Sequence, residues 1–320
     1  VKSFHKSSFA YHHHETTWYQ PTTYRDLLEL KRLHPHARFI SGNSELAIEL
    51  KFRFIELKIV INPRQVPDLH EVRLDNTGAY MGTGLSLTEV DNYLVKYMGL
   101  LCEERCGVFR AVHDIMHWFA GKHVRNVASI AGNIVTASPI SDLNPIWMAA
   151  GAKVVLESDE RGMRCPVIDE HFFLGYRRTA VESDEVVKAI IIPFTVKNQF
   201  FRVYKQAQRR EDDIAIVTGA FNAIVNPDTL MVEMIRISFG GMAPTTKLAL
   251  NTMKHLEGRK WNQSLLDEGL DLLSKEFVLP AGVPGGMARY RQALTLSFFL
   301  KFFLQVAEAL NVSEHSLMAP

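Results

Sequence analysis

The chain has 320 residues, 47% of them hydrophobic, with 36 Lys and Arg against 35 Asp and Glu. That length buries a sizeable core and predicts two or three lobes. A net charge of +1 with no basic stripe excludes the electrostatic footprint of a nucleic-acid binder, and the most apolar window, residues 294–310, is broken by Lys301, Gln305 and Glu308, short of the ~18 clean apolar residues of a membrane span.

In chain order, residues 1–16 read as a tail, with the run His12, His13 and His14 solvated rather than ligating. Thr22 or Thr23 caps a helix that continues to Leu33, on leucines three apart, and His34-Pro35 ends it. An extended ARFIS follows, then the turn GNSE; KIVIN and GAYMG read as strands. Ser86 and Glu89 form a capping box that opens the next helix, and a first lobe closes near residue 85. A second lobe, residues 86–196, holds FRAVHDIMHWFA, AKVVLE and the strand VVKAIIIP, and ends at Pro193 and the polar residues after it. The third, residues 197–311, has strands at FFRVYKQ, IAIVTGAFNAIV and MIRISFGG, then three helical patterns, the last amphipathic over residues 288–310. Strands followed by helices predict an α+β lobe with one sheet face covered. Residues 312–320 read as a second tail.

Three cysteines are too few for a disulfide framework and point to a reducing compartment. Cys102 and Cys106, four apart, read as core residues one helical turn apart, without the further partners a metal site needs. The chain opens on Val1 with no signal-type segment and so reads as a piece of a longer polypeptide.

Residues 126–141 carry no ionisable side chain yet mix apolar residues with Ser129, Gly132, Asn133, Thr136, Ser138 and Ser141. Small residues let a backbone approach a ligand closely, and their hydroxyl and N–H groups can hold a phosphate. A cofactor site and a polar packing segment are both open on this chemistry. Asp142, the first charge after the stretch, suits a sugar hydroxyl; it equally suits a cap on the helix beginning near Pro145, as does Asn144. Gly42-Asn43 ends a strand and can turn sharply, either around an anion or as a plain surface turn. Gly82-Thr83-Gly84 lacks the third glycine and the distant acid of a dinucleotide fingerprint, so a Rossmann site is rejected. RREDDIA, residues 209–215, reads as a charged loop between two strands. It is either a solvated salt-bridge loop or the gate of a redox cofactor.

Five blocks in this order, ISGNSELAIELKF, HWFAGKHVRNVASIAGNIVTASPISDLNP, FFLGYR, YKQAQRREDDIAIV and PGGMARYRQALTLSFFLKF, resemble the FAD-binding section of xanthine dehydrogenases, of the molybdenum hydroxylase family. The resemblance runs from about Thr17 to about Leu310. It implies a p-cresol methylhydroxylase-type FAD-binding fold of two α/β subdomains, residues 17–85 and 86–196, plus a C-terminal α+β subdomain with an antiparallel sheet and helices. It implies that Arg38, Phe39, Ile40, Ser41, Gly42, Asn43, Ser44 and Glu45 follow the FAD pyrophosphate as one loop. Ala128, Ser129, Ile130, Ala131, Gly132 and Asn133 supply the other. Thr136 adds a polar contact, Phe119 lies against the isoalloxazine, Asp142 takes a ribose hydroxyl, and Val187 and Lys205 complete the pocket. Two positions depart from the pattern: Ala131 stands where the family usually has Gly, and His117 where an Arg often precedes the Trp-Phe pair.

The resemblance further implies non-covalent FAD and an electron supply from iron-sulfur clusters. NAD+ or oxygen is the acceptor, during purine oxidation at a molybdenum cofactor. Molybdopterin and the 2Fe-2S clusters are expected only on other domains of the enzyme, with which this chain would be partnered in a cytoplasmic or peroxisomal homodimer. Tyr176 would lie where NAD approaches. Asp212, with Arg209 and Arg210, would tune the acceptor choice, and no other catalytic residue or metal ligand is implied. Aldehyde oxidases share the cradle but usually lack the FFxGYR block and the acidic pair. A non-catalytic nucleotide-binding scaffold is the reading from another class.

Overall fold

The computed structural model describes residues 7–209 and 213–312. Where a tail is expected as far as residue 16, the described part forms a hairpin: β1 (Phe9–His13) runs antiparallel to β2 (Thr16–Gln20). Thr16, Thr17, Trp18 and Tyr19 are all strong strand formers, and His12 Nδ1 meets Thr17 Oγ1 at 2.9 Å across the pair. The histidine run therefore begins on an edge strand instead of in a tail. In α1 (Tyr24–Leu33), Thr23 caps the first turn by accepting the Asp26 N–H at 3.1 Å. Lys31 closes the other end, its Nζ donating to the carbonyls of Pro35 at 2.8 Å and Ala37 at 3.1 Å. Burial lowers that ammonium to about 8. The extended ARFIS contributes only β3 (Arg38–Phe39) before α2 (Leu46–Arg53) and β4 (Ile59–Ile61). The first sheet is ordered β1-β2-β4-β3, with its last two pairings parallel.

The second sheet takes β5 (Val72–Leu74) and β6 (Gly78–Gly82). Five helices follow: α3 (Leu87–Met98), α4 (Gly107–Met116), α5 (Lys122–Arg125), α6 (Ile130–Thr136) and α7 (Asn144–Ala150). The capping box is made: Ser86 Oγ accepts the Glu89 N–H at 3.2 Å, and Glu89 accepts the Ser86 N–H at 2.8 Å. The chain then returns through β7 (Lys153–Ser158), β8 (Gly162–Arg164), a hairpin of β9 (Phe173–Gly175) and β10 (Arg178–Thr179), and β11 (Val186–Pro193). The order β5-β6-β11-β7-β8 is antiparallel throughout. A boundary at residue 85 therefore cuts a sheet, because β6 pairs with β11 from the far end of the expected second lobe. Local hydrophobic pattern identifies a strand and not its partner.

The third sheet is an antiparallel meander of β12 (Gln199–Ala207), β13 (Ala215–Val225), β14 (Val232–Gly240) and β15 (Lys247–Leu248). Helices α8 (Leu250–Leu256), α9 (Gln263–Glu276) and α10 (Ala288–Ala309) follow. They pack on one face, where Phe221, Phe239, Trp261, Phe299, Phe302 and Phe303 are all at most 1% exposed. Each such side chain contributes about 1.5–3 kcal/mol of burial. Helices α4 and α7 lie on the side of this sheet toward the second one.

Carbonyls of α7 are met from the third sheet, by Ser238 Oγ on Pro145, Arg236 Nη2 on Met148 at 2.9 Å and Asn222 Nδ2 on Ala149 at 3.0 Å. Cys106 is buried but Cys102 is exposed, a correction to the expected core pair: they flank a tight turn at Glu103–Arg105 instead of sharing a helix. Residues 313–320 lie outside the described residues.

Candidate functional site

Two loops of small residues meet. After β3 the chain turns at Ser41, Gly42 and Asn43, and Asn43 adopts φ +53°. A Cβ on Gly42 would stand 2.0 Å from the Val127 carbonyl oxygen and 2.3 Å from its carbon. Only glycine permits that approach. The turn is thereby seated on the start of the uncharged stretch. The stretch is anchored in turn by the N-terminus of α3, through Leu87 N–H to Ala128 O at 2.9 Å and a bridge between Ser86 and Ser129.

Ser129 then caps α6, its Oγ accepting the Gly132 N–H at 3.1 Å. Ile130 is buried, while Ala131, Gly132, Asn133 and Thr136 are half-buried. Asn133 Oδ1 accepts Ser141 Oγ at 3.0 Å. In the other loop Arg38, Asn43 and Ser44 are exposed, Phe39, Ser41 and Glu45 half-buried, and Ile40 buried in a small core beneath them.

Asp142 does not cap α7. The N-cap position falls on Leu143, and Ser141 Oγ accepts the N–H groups of Leu143 at 3.3 Å and Asn144 at 3.2 Å just ahead of the helix. This frees the Asp142 carboxylate to pair with Lys205, Oδ2 to Nζ at 2.8 Å, with side chains only 10% and 4% exposed. Asp142 Oδ1 is buried and has no hydrogen-bond partner among the described residues, and the same holds for Thr218 Oγ1 and the Asn144 amide. Burial pushes the Asp142 carboxyl up to about 6, although Lys205 pulls the other way.

Lys205 also donates to the carbonyl of Trp118 at 2.7 Å, which brings Asp142 and Lys205 against the segment holding Phe119. Phe119 is half-buried on the central core. Val187 is buried at a bulge in β11, and its carbonyl accepts the Thr83 hydroxyl.

Tyr176 is 56% exposed at the tip of the β9–β10 hairpin. Its neighbour Arg177, at φ +55°, reaches back to the first loop and pairs with Glu45 at 2.6 Å and Glu49 at 3.3 Å. Glu49 also holds Arg38 at 2.6 Å. Hydrogen bonding to Arg177 lowers the Tyr176 hydroxyl, with Arg53 adding to it. In the charged loop, Asp213 accepts the Arg209 N–H at 2.8 Å and the Ile214 N–H at 2.9 Å, which holds it below the usual carboxylate range. Arg210 and Asp212 lie outside the described residues.

Sequence reasoning missed Arg125, Arg177 and Thr218. Arg177 owes its place to partners far along the chain and Arg125 to backbone carbonyls, while Thr218 is placed by its strand, and none of these leaves a local pattern.

Comparison with known proteins follows this division. Residues 10–195 match the family described as the FAD binding domain in molybdopterin dehydrogenase, and residues 202–306 the CO dehydrogenase flavoprotein C-terminal domain. The chain is 42% identical over 298 residues to a xanthine dehydrogenase/oxidase of Gallus gallus and 39% over 297 residues to a xanthine dehydrogenase of Oryza sativa subsp. japonica. These alignments cover 93% and 92% of this chain and 22% of each relative, so the chain spans about a fifth of their length. Among solved structures, carbon monoxide dehydrogenase from Hydrogenophaga pseudoflava shares the fold at TM-score 0.79 and 22% identity, covering 92% of this chain and 97% of that one. Quinoline 2-oxidoreductase from Pseudomonas putida 86 shares it at TM-score 0.74 and 18% identity, covering 91% and 96%. The fold is thus that of the CO dehydrogenase flavoprotein, and the chain belongs to the family of FAD-binding domains of molybdopterin dehydrogenases.

Proposed function

We propose that this chain holds one FAD non-covalently as the flavin-bearing part of a xanthine dehydrogenase or oxidase. The seating of Gly42 on the Val127 carbonyl carries the reading. Two loops of small residues, one turned by a left-handed Asn43, come into close contact there, and backbone N–H groups of such loops suit a pyrophosphate. Residues 38–45 and 128–133 line the pyrophosphate, with Thr136 beside them. Asp142, whose Oδ1 is an orphaned buried acceptor, takes a ribose hydroxyl. Phe119, Val187 and Lys205 bound the ring system. FAD, when bound, supplies the electron-carrying chemistry; the chain's own residues bind it, orient it and keep water from it.

The wider assignment is to an enzyme whose iron-sulfur and molybdenum domains deliver electrons from hypoxanthine or xanthine. NAD+ or oxygen takes them, in a cytoplasmic or peroxisomal homodimer. Tyr176 faces the acceptor NAD+. Asp212, with Arg209 and Arg210, sets the balance between NAD+ and oxygen.

A purified chain that is yellow and releases its chromophore on acid or heat treatment supports the reading. A colourless chain that takes up no added FAD overturns it. NADH oxidation with an artificial electron acceptor then separates the acceptors: a dehydrogenase performs it steadily, an oxygen-only aldehyde oxidase poorly and a scaffold not at all.

A further inference from the structure

The turn after α4 is held by two cations from opposite sides of the sequence. Lys205 Nζ, on β12, donates to the carbonyl of Trp118 at 2.7 Å. Arg125, the last residue of α5, sends Nη1 to the carbonyl of Phe119 at 2.6 Å and also to that of Ala120. Three successive carbonyls are thereby captured by charged donors, and Ala120 sits at φ +39°, a conformation that a residue with a Cβ adopts rarely. A strained turn persists only when its surroundings over-determine it. Arg125 is also two residues before Val127, whose carbonyl meets Gly42. Its guanidinium therefore ties the Phe119 turn to the loop on which the first small-residue turn is seated.

We propose that Arg125 is a positioning residue that fixes the ring of Phe119 against the bound cofactor by capturing the carbonyls of Phe119 and Ala120. The proposal rests on the reading that the cradle holds FAD. Arg125 touches no ligand in this account and acts through Phe119 alone. The bland alternative is a basic residue finishing a short helix, which would affect stability and nothing else.

The test uses the 320-residue chain loaded with FAD, in a cycle of Arg125→Met, Phe119→Ala and the double variant, with Arg125→Lys as the conservative change. Arg125→Met is expected to weaken FAD binding about tenfold, as for a lost charge-assisted hydrogen bond, and to shift the visible flavin band toward that of free FAD. Arg125→Lys, which keeps the charge and one donor, should recover most of both. In the Phe119→Ala background Arg125→Met should change neither, because the group through which it acts is gone.

An equal loss of affinity in both backgrounds, or a loss of thermal stability with affinity and spectrum intact, overturns the proposal. Should Arg125→Met fail to fold, Arg125→Lys against wild type carries the same comparison with a smaller expected loss, and no change in affinity or band position is the overturning result. If the wild-type chain takes no FAD, the functional reading fails instead. The clamp is then read by hydrogen exchange: amides 118–121 exchange at least several-fold faster in the variant if Arg125 holds the turn, and equally fast if it does not.

Discussion

The buried Asp142–Lys205 pair makes the clearest quantitative prediction. An ordinary aspartate titrates near 3.8, and burial raises this one to about 6. At ~1.4 kcal/mol per tenfold, keeping that carboxylate ionised in the folded chain costs about 3 kcal/mol relative to its neutral form. The folded value lies above the unfolded one. The stabilising contribution is therefore complete below about pH 3.8 and is lost as pH rises through about 6.

Asp142→Asn removes the charge and keeps the shape. It also strips Lys205 of its carboxylate, and breaking a buried pair usually costs about 3–5 kcal/mol. Here the raised pKa already contains the attraction of Lys205, so desolvation is the larger effect, and Nζ keeps the Trp118 carbonyl. Urea unfolding of the FAD-free chain between pH 4 and pH 8 should show wild type losing up to about 3 kcal/mol relative to the variant. The same variant should bind FAD about ten- to a hundredfold more weakly at pH 8, because a charge-assisted bond to the ribose is gone. Parallel pH profiles, or a variant less stable than wild type at pH 8, would refute the reasoning.

Gly42→Ala forces a methyl carbon to within 2.0 Å of a backbone carbonyl oxygen, so the two loops must separate; FAD titration should show at least a tenfold loss, together with a lowered thermal midpoint. Phe221→Ala empties the centre of the aromatic cluster on the third sheet and should cost about 3–5 kcal/mol in urea unfolding. In the complete enzyme, Tyr176→Ala should weaken NAD+ binding and leave the flavin in place, as expected of a tyrosine more than half exposed. Asp212→Asn should weaken NAD+ reduction more than oxygen reduction, and an unchanged flavin potential and turnover ratio would mark the loop as a solvated charge run.

Elements whose causes are local were legible. The Thr23 cap, the Ser86–Glu89 box and the strands at residues 78–82 and 186–193 all follow from propensity and capping chemistry within a few residues. What depends on closure in space was not. The pairing of β6 with β11 moves part of the expected first lobe into the second sheet, and no pattern in either strand names the other. The same limit applies at the site. The small-residue stretches left a cofactor site and a packing segment both open, and the pairing of Asp142 with Lys205 depends on a strand of the third sheet that no local pattern announces. Arg177 was invisible for the same reason, since its partners Glu45 and Glu49 lie on the far side of the chain.

The last turn of α7 has a consequence for how the chain can be divided. Gly151, at φ +65°, and Ala152 close it with N–H donors to the Met148 and Trp147 carbonyls, and Asn222, Arg236 and Ser238 add side-chain donors to the carbonyls of Ala149, Met148 and Pro145. A fragment stopping near residue 196 would lose those three side-chain donors and would bare the helix faces that the third sheet covers. The regions matching two separate family descriptions, 10–195 and 202–306, are therefore expected to melt together, as a single calorimetric transition would check.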